Sequence, residues 1–161
     1  MKVKLVSGPP TQARTFKEPG ELADKLSPQD VEIVREIFKT PLTGLNPFHD
    51  HPVYLALSEE QKSEYAWRSL AQVLSQFLHG EQGAMMVASQ LVSCAPTYDA
   101  KLYAASQTFD EARHVEVFNK YLRYRCNVEY PVNPSLKLLL DKILTDERWD
   151  LKFIGMQILI E

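Results

Sequence analysis

Cysteine is nearly missing from this chain: Cys94 and Cys126 are the only two in 161 residues, and they show no Cys-x-x-Cys spacing. A disulfide framework and a zinc ribbon are thereby excluded, and both thiols are expected to be buried. A surplus of positive charge is also missing. Eighteen Lys plus Arg against 21 Asp plus Glu leave a net charge of −3, so there is no basic footprint to neutralise phosphates and no nucleic acid is expected as a partner. No apolar run approaches the roughly 18 residues of a membrane span. The stretch before Gly8-Pro9-Pro10 is too short for a signal peptide. The expected location is cytoplasmic, with no membrane partner. Strand-like alternation and internal repeats are lacking too. What remains, 45% hydrophobic and 24% charged, is the composition of one globular domain.

The punctuation divides the chain at about residue 26. Gly8-Pro9-Pro10 and Glu18-Pro19-Gly20 make residues 1–26 an extended arm. Residues 27–161 read as a helical domain. Ser27-Pro28 opens a short amphipathic helix that carries Val31, Val34, Ile37 and Phe38 and ends at Thr40-Pro41. A loop follows from Leu42 to Pro52, and Ser58-Glu59-Glu60-Gln61 is a capping box. From there to Cys94 only Gly80 and Gly83, both tolerable in a helix, interrupt the pattern, which predicts one helix about 50 Å long at 1.5 Å per residue. Ala95-Pro96-Thr97 turns the chain into a second helix over Tyr98 to Cys126, giving an αα-hairpin. Asn133-Pro134 opens a further helix and Asp146 a last one, apolar nearly all round from Phe153 to Ile160. The fold class is all-α.

Charge is absent where chemistry begins. Of the 30 residues between Arg68 and Asp99, Glu81 is the only acid or base apart from His79. Its neighbours Leu74, Phe77, Leu78, Ala84, Met85 and Ala88 make its face apolar. A buried lone carboxylate must shift its pKa, find a cation or bind a metal. The second helix offers Glu111 and His114 at i and i+3, on one face. With 13 glutamates and four histidines, about 0.3 such pairs arise by chance, so the motif alone is weak. Register strengthens it. Glu81 lies 15 residues before Pro96 and Glu111 lies 14 after Thr97, so both stand roughly 21 to 23 Å from the turn, at one level, on helices about 8 to 10 Å apart.

Glu161 is another isolated carboxylate, after eight uncharged residues. Three carboxylates and one imidazole suit iron or manganese better than zinc, and iron is favoured. The ordinary alternatives are an arginine partner for Glu81 and a surface pair for Glu111 and His114. His49-Asp50-His51 sits in a Pro-rich loop and is not expected to ligate. His79 points about 200° from Glu81 around the helix and is expected to be a hydrogen-bonded interior histidine. Trp67, Met85 and Met86 are expected in the core.

At Glu81, Glu111 and His114 the chain resembles the ferritin-like diiron-carboxylate superfamily, whose four-helix bundle carries one Glu on each of two helices and a Glu-x-x-His on each of the other two. The run Asp110-Glu111-x-Arg113-His114, following Glu81-x-x-Ala84, is similar to the hydroxylase subunits of bacterial multicomponent monooxygenases. The resemblance covers residues 67–161. It implies a ferritin-like four-helix bundle, of which this chain holds the first long hairpin and the start of a third core helix. It also implies two Fe ions, or a Mn/Fe pair, with metal ligands Glu81, Glu111, His114 and Glu161. Asp110, Arg113 and Gln107 would support them from behind, Asp110 accepting an imidazole N–H and Gln107 lining a pocket for oxygen or substrate. Phe118 stands where the ribonucleotide-reductase branch carries its radical tyrosine, which points away from that branch. The implied function is a diiron oxygenase that uses O2 to oxidise a small organic substrate, with Phe77, Met85 and Phe118 as apolar walls and electrons from a separate electron-donor protein. No second Glu-x-x-His is present, so the chain is expected to be the amino-terminal part of a longer protein or to complete its site as a homodimer. The alternatives are a ferroxidase or iron-storage protein with a site shared between two chains, and a metal-free helical interaction module.

Overall fold

Side-chain caps and prolines set most element boundaries. The computed structural model describes residues 14–15 and 46–160. Within them the order is β1 (Arg14–Thr15), α1 (Pro52–Leu55), α2 (Glu59–Cys94), α3 (Tyr98–Tyr121), a π-helical turn (Leu122–Cys126), β2 (Val128–Glu129), α4 (Pro134–Thr145) and α5 (Trp149–Gln157). The Ser58 hydroxyl accepts from the Gln61 N–H at 3.2 Å while Gln61 Oε1 accepts from the Ser58 N–H at 2.9 Å. This reciprocal box starts the 36 residues of α2. Thr97 Oγ1 accepts from Ala100 N–H to start α3, and Asn133 Oδ1 accepts from Ser135 N–H to start α4. At the hairpin turn Lys101 Nζ donates to the carbonyls of Val92 and Ser93, placing a cation on the last turn of α2. The described residues are thus mostly helical. Their helices include none long and apolar enough to cross a membrane.

Several expectations need correction. The second helix stops being α-helical at Tyr121, and the π turn that replaces its end sinks Leu122 completely, with Asn127 left-handed behind it (φ 55°). Leu122 of that turn and Val128 of β2 pack with Ala71 and Leu78 of α2. The last helix begins at Trp149 rather than Asp146, because the Asp146 carboxylate is taken by the backbone N–H and guanidinium of Arg148. That helix buries only Lys152, Gly155 and Met156; Phe153, Ile154, Ile158 and Leu159 are exposed. A two-residue antiparallel pairing, Arg14 with Glu129 and Thr15 with Val128, is too short to show any alternation in sequence. The loop before α2 contains α1, capped by His51 Nδ1 accepting from Val53 N–H. Cys94 is exposed and Cys126 half-buried; Trp67 is exposed and Met85 half-buried, whereas Met86, also half-buried, packs against the core as expected. The helix expected over 28–40, and the arm apart from Arg14–Thr15, lie outside the described residues.

Two clusters form the core. One joins Ala71 and Leu78 of α2 to Leu122 and Val128. The other joins Ala84, Val87 and Leu91 of α2 and Ala104 of α3 to Leu140, Ile143 and Leu144 of α4 and Met156 of α5. The second depends on Gly83: a Cβ there would stand 2.5 Å from Leu140 Cδ2, a side chain with no exposed surface. Gly83 is therefore required by packing, whereas Gly80 has open space beside it. Helix α4 grips α2 two residues from Glu81, about 200° around the helix from it.

Candidate metal centre

The hairpin delivers the convergence its equal legs predict. Glu81 projects from the middle of α2, and Glu111 and His114 from one face of α3. One ligand atom from each lies within 4.8 Å of the others, and no second such group of three or more His, Cys, Asp or Glu occurs among the described residues. His114 Nδ1 stands 3.1 Å from Glu111 Oε2 and 3.4 Å from Glu81 Oε2. The side chains are graded in depth: Glu111 is 6% exposed, Glu81 23% and His114 55%. The cluster is thus buried at its base and open at its imidazole.

Crowding like charges in a half-buried place has an electrostatic cost. Burial, and then the hydrogen bond and charge of Glu111, push the Glu81 carboxyl up to about 7, although His114 pulls it the other way. Burial alone would lower the His114 imidazole, but the hydrogen bonds and charges of Glu111 and Glu81 outweigh it and raise it. Near neutrality the group is therefore holding protons that a cation could replace. The arginine that would have explained Glu81 structurally is not among its described partners, which are Glu111 and His114.

The surroundings divide into supporting and detached residues. Gln107 Nε2 donates to Glu111 Oε1 at 3.3 Å. One turn from Glu81 and one turn from His114, the rings of Phe77 and Phe118 pack with centroids 5.9 Å apart, forming an apolar wall on that side; Phe77 itself is more than half exposed. Asp110 and Arg113 are exposed and face each other at 3.5 Å, so their described contact is mutual rather than with the cluster. Glu161 lies outside the described residues. His49 pairs with Asp50 at 2.8 Å and His51 caps α1, so that loop gathers no ligand set.

The other side of α2 accounts for the polar residues that had no assignment. His79 Nε2 meets the Tyr130 carbonyl at 2.9 Å, as expected of an interior histidine. Ser75 Oγ accepts from Tyr130 N–H, Gln76 Nε2 donates to the Pro131 carbonyl, and Gln76 Oε1 accepts from Asn133 N–H. Sequence reasoning missed this strap. It also missed Lys152, buried with Nζ donating to Gln90 Oε1 and to the carbonyls of Ile143 and Leu144. A lone lysine in an apolar helix was the available signal. Fold and site together define a helical protein with a two-carboxylate, one-imidazole cluster across a hairpin. Compared with family models, curated proteins and solved structures, the chain matches none.

Proposed function

We propose that Glu81, Glu111 and His114 ligate metal and that the chain carries half of a diiron-carboxylate centre in a ferritin-like four-helix bundle, acting as an O2-dependent oxidoreductase. The carrying observation is the convergence of the three ligand atoms within 4.8 Å. The residues fit the ion: an octahedral site with bonds of about 2.1 Å has donor edges of roughly 3 Å, and the nitrogen-to-oxygen edges here are 3.1 and 3.4 Å. Two carboxylates with one imidazole favour iron or manganese over zinc. A bound ferrous pair would supply electrons for activating dioxygen toward a small organic substrate.

The chain's own residues bind and shelter. Glu81 and Glu111 contribute negative charge from opposite helices, and His114 turns Nδ1 inward. Phe77 and Phe118 keep water from one side of the cluster. Replenishing electrons falls to a separate donor protein. A ferroxidase built from two copies is the second reading, favoured by the exposure of His114 on the cluster's open side.

Anaerobic loading of the chain with ferrous iron, followed by air, tests both readings. Retained iron and a ferric near-ultraviolet band, both lost in Glu111→Ala, are expected. Iron bound only by a pair of chains supports the ferroxidase. No retained iron sinks both readings and leaves His114 as an imidazolium bridging two carboxylates, the metal-free module.

A further inference from the structure

We propose that Gln107 is the positioning residue of this centre: its carboxamide holds one oxygen of Glu111 so that the other is the one offered to the ion. The inference rests on the metal-binding reading above. Gln107 precedes Glu111 by one helical turn and shares its face of α3. A carboxylate free to rotate can present either oxygen, or both, to a cation. Here the two are distinguished: Oε1 accepts from Gln107 Nε2 at 3.3 Å, and Oε2 lies 3.1 Å from His114 Nδ1, inside the ligand group.

The NH2 end of Gln107 faces Glu111, as suits a carboxylate that ligates a cation and can only accept hydrogen bonds. Gln107 Oε1 is then left buried with no hydrogen-bond partner among the described residues. A buried acceptor without a donor is destabilising, and leucine or methionine would fill the same space without that cost. Packing is therefore a poor account of this glutamine, whereas holding Glu111 uses the one group that an apolar residue lacks. Partners that orient a ligand from behind are commonly worth about 10- to 100-fold in metal affinity.

Cobalt(II) titration of the chain, read by visible absorption that reports coordination, tests this on wild type, Gln107→Leu and Gln107→Met, alongside melting of each metal-free protein. Both variants are expected to bind cobalt about 10- to 100-fold more weakly, with an altered absorption band, while their metal-free melting temperatures stay level or rise. A residue that merely packs would move the other way, lowering melting and affinity together, and that result overturns the proposal. Variants with wild-type affinity and spectrum also overturn it while leaving the metal site standing. If wild type binds no cobalt, the metal reading itself falls and takes the role of Gln107 with it.

Discussion

Helix α2 has buried polar groups on two sides, in opposite conditions. Behind it, Lys152 is buried with no ion pair among the described residues, Asp146 acting on it only through its charge, yet its Nζ donates to one amide oxygen and two carbonyls. Those carbonyls belong to the end of α4, where helices ordinarily leave acceptors open. Across the hairpin, Glu81 and Glu111 are brought together, met by one half-exposed imidazole and, at Glu111, by the Gln107 amide. The first arrangement is complete as it stands, a cation fixed by neutral dipoles that it in turn satisfies. The second is electrostatically unfinished, holding protons near neutrality. A buried charge thus signals a ligand site when its nearest neighbours carry the same sign.

Substitutions can break that contrast. Glu111→Ala, the largest effect, should abolish metal retention while leaving the helical circular dichroism intact; an unchanged iron content would place the site elsewhere. Lys152→Met should cost about 3 kcal/mol in urea unfolding, because three acceptors lose their donor, and should leave metal affinity unaltered. Gly83→Val is expected to destabilise by about 2 to 3 kcal/mol through collision with Leu140, whereas Gly80→Ala should stabilise by up to about 1 kcal/mol. Equal responses at the two glycines would contradict the packing of α4 on α2.

Acid titration sharpens the same comparison. In the folded state Glu81 holds its proton more tightly than the ordinary value of 4.5 allows, up to about 7. Metal-free stability should therefore fall as pH rises through that window. His114, raised above 6.5, acts in the same direction, its contribution being present below its unfolded value and lost as pH passes the folded one. Metal affinity should run oppositely, rising with pH as protons are displaced. Denaturant unfolding at several pH values, with Glu81→Gln flattening the slope, checks this. The smallest effect belongs to Asp110→Ala: an exposed pair should change stability by less than about 0.5 kcal/mol.

The hairpin was legible because its determinants are local. Ser58 with Gln61, Thr97 after Pro96, and Asn133 before Pro134 each act within a few residues, and the long charge-free stretch marks a helix face. The cluster was legible because two helical legs of equal length convert residue counts into position. What escaped notice depends on contacts between distant segments. Gly83 looks merely tolerable until Leu140 is placed against it, and Asp146 looks like a helix cap until Arg148 takes its carboxylate. The π turn carries Leu122 into a cluster with Ala71, Leu78 and Val128, contacts between segments that no local pattern announces. Asp110 and Arg113 carry the resemblance in sequence but stand among solvated charges in the fold.

The tight turn at Ala95–Pro96–Thr97 makes the hairpin a ruler with its zero at the fold of the chain. One residue inserted into either leg would shift a carboxylate by about 1.5 Å along the axis and about 100° around it, removing it from the cluster. Lengthening the turn itself would leave each leg's own count untouched. Insertions and deletions should therefore be tolerated very unevenly along this chain: barred between Glu81 and the turn or between the turn and Glu111, and permitted within the few residues that join the two helices.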